Sequence, residues 1–395
     1  MVLSVYTYDF NKYAERIKFG LSPIEWKDLD KILEAIHQNG KERFHFLEKN
    51  FINFFNILRG VARTRISYIP KNHKNRIEKN LLTCLNSISK SERFNAQSIS
   101  NSLWALATMG ISWVNLPENL RAALLKSLHD NSKDLNPQGI STSLWALGCM
   151  NIPKEIFPKK LFSNITASST FSLKHITQIS QLGLLGYDIP RDKFLPKDFV
   201  FEQKSDSDLE RVIFQHIQSL LKDALDKNMC QVSNNDILFG FMMPDITIKN
   251  LRTNDFWVIE VDGPSHFYKN GEYNANTNMR NRIYETQKVQ YTTIKIPGVF
   301  HEIQEIIEII EKTLNELEFF KELLKNEHTD KSAAPVKRKC SLSSNDEKED
   351  VIEVTQSSQG HDVLLFSSSS LFAKKQELTG PTESSEKSKR RCRGF

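Results

Sequence analysis

"FWVIEVDGPSHFYKNGEYNANTNMRNR", residues 256–282, decides how the second half of the chain is read. It opens as a strand, a run of aromatic and β-branched residues that breaks at Gly263-Pro264. Side chains alternate along a strand, so Glu260 and Asp262 project to one side of it. A strand that reads as buried therefore carries two acids on one face, and something must neutralise them.

The neighbouring segments bring more carboxylates to the same place. "MMPDITI" supplies Asp245 through the turn "LRTND", and Glu210 lies on a helix ahead of it. Carboxylates crowded at one point repel unless a cation sits between them, and an oxygen cage suits Mg²⁺ or Mn²⁺. On that reading Asp245, Glu260 and Asp262 are metal ligands, and His266, just beyond the strand, is an acid, a base or a group that orients water. A second reading is purely structural: Asp262-Gly263 caps a turn, and the other acids pair with Arg280 and Arg282.

The surrounding elements form a small α/β unit. "SDSDLERVIFQHIQSLLKDALDK" (205–227) reads as a helix with Ser and Asp ahead of its first turn. "DILFGFMMPDITIKN" (236–250) reads as a strand pair or one bent strand. "TNMRNRIYETQKV" reads as a helix, "QYTTIKIPG" as a strand, and 301–326 as a closing helix.

The first half of the chain repeats itself. "FNAQSISNSLWALATMGI" (94–111) recurs as "LNPQGISTSLWALGCMNI" (135–152), with Trp104 and Trp145 separated by 41 residues. A period in this range marks a solenoid, in which each unit buries its apolar face against the next. Asn95 and Asn136 stand where an N-cap belongs, and Pro137 takes the first helical position. Ile99, Leu103 and Leu106, with Ile140, Leu144 and Leu147, form the core stripe, and Gly110 suits a left-handed cap. Trp104 and Trp145 read as core rather than base-stacking platforms. "LPENLRAALLKSLHDNSKDL" is the other helix of the pair. Weaker copies lie at 171–190, closed by Gly186, and at 54–67, so about four units span 25–195.

"PQGISTSLWALGCM" and "SISNSLWALATMG" resemble the octotricopeptide repeat of organellar RNA-binding proteins. That resemblance implies single-stranded RNA held along the solenoid. The implied contacts are Asn101, Ser102, Thr142 and Ser143, near the start of the second helix of each pair. "VIEVDGPSHF", "TNMRNRI" and "YTTIKIP" resemble the RAP domain ("RNA-binding domain abundant in apicomplexans"), which is similar to the very-short-patch-repair endonucleases of the PD-(D/E)XK fold. The order of the two parts is similar to that in FAST-kinase-domain mitochondrial proteins. Glu260-Val261-Asp262 puts an acid where the usual triplet has lysine, as in the repair-endonuclease branch. A Gly ahead of the last strand and a Trp after the final Pro are absent.

Three functions follow. As a nuclease, the chain uses Asp245, Glu260, Asp262 and His266 with Mg²⁺ or Mn²⁺. As a binder, it holds RNA through Lys249, Arg252, Lys269, Arg280, Arg282 and Lys288 without cutting it. The third is a protein-binding solenoid or secreted effector with an inert RAP domain.

Composition agrees with a soluble intracellular protein. Mean hydropathy is −0.43, and no apolar run approaches the ~20 residues that span a bilayer. The N-terminus carries Asp9 and Glu15 early, so no signal peptide is read there. Five isolated cysteines argue for a reducing compartment and against a zinc site. A net charge of +5 accords with a polyanionic partner. Organelle, nucleus and delivery into a host are all compatible with this.

The expected organisation is an N-terminal segment (1–24), an α-helical repeat solenoid (25–195), a small α/β restriction-endonuclease-like domain (205–326) and a disordered tail (327–395). The tail is rich in Ser, Lys and Glu and carries basic clusters at 337–339 and 389–391. Its "DVIEVT" has the form of a strand added to a protein partner's sheet.

Overall fold

The computed structural model describes residues 3–63, 69, 71–162, 171–190, 208–234, 236–268, 271–296, 303–317 and 320–321. The tail from 327 onward lies outside these residues. The chain is mostly helical, with one four-stranded mixed sheet.

Among the described residues, the first part of the chain holds nine α-helices: α1 (Thr7–Arg16), α2 (Pro23–Gln38), α3 (Gly40–Lys49), α4 (Phe51–Arg63), α5 (Lys71–Ile88), α6 (Ala96–Thr108), α7 (Glu118–Asp130), α8 (Pro137–Cys149) and α9 (Leu173–Leu184). They stack in two rows. Helices α1, α4, α6, α8 and α9 pack in sequence, and α2, α5 and α7 form the second row.

The expected repeat signals are realised in backbone geometry. Asn95 and Asn136 accept the N–H of Ser98 and Gly139 at 3.1 and 2.7 Å, opening α6 and α8. All three of α6, α8 and α9 close alike. The N–H groups of Ile111, Ile152 and Tyr187 donate to Leu106, Leu147 and Leu182 carbonyls, each at 3.1 Å. The residue before each donor is left-handed: Gly110, Asn151 and Gly186, at φ +77°, +57° and +82°. This is the Schellman motif, which satisfies carbonyls that the helix end would otherwise leave open. Trp145 is buried and Trp104 is half-buried against the same core.

The second part runs α10 (Asp208–Leu220), α11 (Lys222–Asp226), β1 (Cys230–Ser233), β2 (Ile246–Asn250), β3 (Phe256–Asp262), α12 (Ala275–Thr286), β4 (Tyr291–Lys295) and α13 (Ile303–Asn315). The sheet order is β1-β2-β3-β4, antiparallel except for the parallel pair β3–β4, which α12 connects. The sequence reading differs in the first helix of this part, which is interrupted at Leu221 to give α10 and α11, and in the strands. The partner of β2 is the short strand β1, whereas Leu238 bridges back to Met242 around Phe239 and Gly240, both at positive φ.

The sheet has two unlike faces. Ile246, Ile248, Ile259, Val261 and Ile294 meet Ile213 and Ile217 of α10 and Ile310 of α13. On the other side Val258 joins Met279, Ile283 and Tyr284 of α12, and that cluster is continuous with the core of the stacked helices. Among the described residues, no helix is long and apolar enough to cross a membrane.

Candidate functional site

Strand register assembles the acids. Ile246 lies opposite Ile259, which sets Asp245 opposite Glu260, and Asp262 pairs with Lys295 across the parallel ladder. The Asp245 Oδ2 accepts the Val261 N–H at 2.7 Å, fixing this carboxylate to the strand edge.

Helix α12 then covers them. Asn274 caps it, accepting the Thr277 N–H at 3.1 Å, and four-residue spacing puts Arg280 and Tyr284 on one face. The Arg280 Nη1 donates to Glu260 Oε2 at 3.0 Å, and its Nη2 to both oxygens of Asp262 at 2.9 and 3.0 Å. The Tyr284 hydroxyl donates to Glu260 Oε1. His266 Nδ1 lies 2.7 Å from Asp262 Oδ1 and 3.3 Å from Thr277 Oγ1. Arg280, Glu260 and Asp262 are 4, 2 and 0% exposed, so the network is closed to solvent.

The charges respond to this enclosure. Burial pushes the Glu260 carboxyl up to about 8; Asp245 and Asp262 push the same way, against Arg280 and the Tyr284 hydrogen bond. Burial also opposes the Asp262 charge, but the His266 hydrogen bond and the Arg280 guanidinium outweigh it and hold this carboxyl below its usual range. Burial and the Glu260 charge raise the Tyr284 hydroxyl far above its ordinary value.

The donor set does not fit a metal in this arrangement. Both oxygens of Glu260 and of Asp262, and Oδ2 of Asp245, already accept hydrogen bonds from protein donors. Among the described residues, no group of three His, Cys, Asp or Glu has the arrangement of a metal site. The cation between the acids is the Arg280 guanidinium. Glu210 is half-buried on α10, the helix that covers the opposite face of the sheet.

The residues expected to contact RNA are dispersed. Lys249, Arg252 and Lys288 are exposed, Asn101 and Thr142 are half-buried, and Lys269 lies outside the described residues. Ser102 and Ser143, expected at the surface, are 0% exposed. Small side chains there let α6, α8 and α9 approach closely, and the Ser102 hydroxyl is satisfied by the Ser98 carbonyl at 2.7 Å. Arg280 is likewise no surface cation, because it is consumed by the acids.

Arg282 has another task. Its guanidinium donates to the Gly148 carbonyl at 2.9 Å and to Asn151 Oδ1 at 2.7 Å, at the end of α8. Gln287 donates to the Leu184 carbonyl at 2.6 Å, at the end of α9, and the Tyr268 hydroxyl to Thr108 at 2.6 Å, at the end of α6. Three successive helix ends are thus each bound by a side chain of the second part. Sequence reasoning missed Tyr268, Tyr284 and Gln287; the placement of Tyr284 one turn beyond Arg280 was the available signal.

No family model matches the chain, and no curated protein matches it.

Proposed function

We propose that the chain binds single-stranded RNA, with the stacked helices acting as an octotricopeptide-like solenoid and the α/β part as a RAP-type, endonuclease-like domain. The role that follows is in RNA processing or stability. Asn101 and Thr142 are the solenoid contacts that keep partial exposure, and Lys249, Arg252 and Lys288 are the surface cations of the α/β part.

One observation favours binding over cleavage: Arg280 lies between Glu260 and Asp262, hydrogen-bonded to both. A nuclease of this fold needs those oxygens for its metal. Here they are spent on holding α12 to the sheet, so the acids serve the scaffold and the phosphates are met by cations elsewhere.

The test is fluorescence anisotropy of a short labelled RNA, titrated with salt in Mg²⁺ and in EDTA, with the same samples run on a denaturing gel. Neutralising about four phosphates of a single strand gives a slope of log K against log[salt] near −3. The expected result is that slope, unchanged by EDTA, with intact RNA. Metal-dependent products that disappear in Glu260→Gln would establish the nuclease instead. A flat salt response with no binding would leave the protein-binding reading.

A further inference from the structure

The row of stacked helices leaves one stripe open. Asn56, Arg59 and Arg63 of α4 stand where α6 has Asn101, Trp104 and Thr108, and all six are half-buried or exposed. Helices α4 and α6 pack side by side, as do α6 and α8, so the stripe continues through Thr142. The spacing of 56, 59 and 63 puts these polar residues of α4 on one helix face.

The two arginines on that face are unspent. Among the described residues, neither Arg59 nor Arg63 has a hydrogen bond or an ion pair. Elsewhere in the stacked helices the fold consumes its guanidiniums: Arg43 meets the Ile36 and His37 carbonyls, Arg76 meets Asp30, and Arg93 meets the Glu48 carbonyl. Arg63 lies in the last turn of α4, where the helix dipole favours a cation. Arg59 lies a turn further in and is half-buried, with a like charge as its neighbour. Burial first, and then the Arg63 charge, lower its pKa, and among the described residues no carboxylate opposes them. A half-buried guanidinium without a counter-ion is unfavourable by itself, and an anion shared by both arginines removes that cost.

We infer that Arg59 and Arg63 together hold one backbone phosphate of the bound strand, at the α4 end of the stripe that carries Asn101 and Thr142. Guanidinium forks match phosphate oxygens in geometry as well as in charge. A strand anchored here passes next over Asn101 and then over Thr142. Phosphate contacts fix register and carry no sequence information, so the pair positions the strand and leaves base identity to other residues. This rests on the RNA-binding reading and adds charge to a stripe whose other contacts are neutral.

The test compares the full chain with an Arg59→Gln/Arg63→Gln variant by salt-titrated anisotropy on a short labelled RNA, with urea unfolding of each protein. Losing one phosphate contact is expected to reduce the slope of log K against log[salt] by about 0.7 and to weaken binding several-fold, while stability without RNA is unchanged or higher. A Lys126→Gln/Lys133→Gln variant, on and just after α7 in the second row, removes the same charge and is expected to keep the wild-type slope. The exposed Arg63→Gln alone, which touches no core position, is expected to show a smaller loss in the same direction. A wild-type slope in both arginine variants, an equal loss in the lysine variant, or a binding loss that comes only with lost stability would overturn the site while leaving RNA binding intact. No binding by the wild-type protein would overturn the RNA reading, and the site with it.

Discussion

On one face of β3, Ile259 and Val261 lie against Ile213 and Ile310, where removal of apolar surface from water is favourable in itself. On the other, Glu260 and Asp262 lie against Arg280 and Tyr284, where burial is costly unless every charge and lone pair is met. The two faces belong to one strand and alternate residue by residue. The difference concerns tolerance. An apolar face loses stability in proportion to the volume removed. A closed ionic face is nearly all-or-none, because deleting one member strands the others.

The largest expected effect follows from that asymmetry. Arg280→Ala leaves the buried Asp262 carboxylate without its cation and Glu260 without a hydrogen-bond donor, and should cost about 3–5 kcal/mol in urea unfolding. Ile259→Ala, on the apolar face, should cost about 2–5 kcal/mol. Conservative changes separate the faces more sharply. Ile259→Leu should cost less than about 1.5 kcal/mol, whereas Arg280→Lys loses the planar fork that serves Glu260 and Asp262 together and recovers only part of the loss. Equal tolerance at the two positions would break the comparison.

A smaller effect lies where α12 meets the stacked helices. A Cβ on Gly148 would collide with Leu182 and come within 3.3 Å of Met279 Cε. Gly148→Ala should therefore cost about 1–3 kcal/mol, measured in the same unfolding assay. Unlike Arg280→Ala, it should also expose the α12 contact to proteolysis, since it pushes apart the elements that Arg282 ties together.

The pH dependence is gentler and its sign is fixed by Glu260. Its pKa is raised on folding, so the native state retains a proton that the unfolded chain has lost. Stability from this group is complete below the unfolded carboxylate value and declines as pH rises toward about 8, by at most about 1.4 kcal/mol per pH unit. Asp262 acts in the opposite sense. Its lowered pKa stabilises the protein above the ordinary carboxylate range and fails only as pH falls through the folded value. Urea unfolding of Glu260→Gln from pH 5 to 8 should show a flattened profile; an unchanged decline would assign the dependence to another group.

Local signals were legible in the sequence where a residue type has one structural use. Asn95 and Asn136 announced helix starts, Gly110 and Gly186 announced left-handed ends, and the spacing of Glu260 and Asp262 announced a polar strand face. Tertiary assignments were less legible. Nothing local distinguishes an arginine that meets phosphate from one that meets acids 18 and 20 residues earlier in the chain, as Arg280 does. Ser102 and Ser143 misled for a related reason. A serine reads as surface, yet small size is what a close helix contact requires; the Ser102 hydroxyl is satisfied within its own helix, whereas that of Ser143 is buried with no hydrogen-bond partner among the described residues.

The central claim is that a guanidinium, and no metal, neutralises the acids of β3. Urea unfolding of the wild-type protein across a Mn²⁺ titration tests it directly, since any ligand specific to the native state must stabilise it. The account predicts no change in unfolding free energy with Mn²⁺. A rise approaching about 1.4 kcal/mol per tenfold increase in Mn²⁺, abolished by Glu260→Gln, would contradict it and return Asp245, Glu260 and Asp262 to the role of metal ligands.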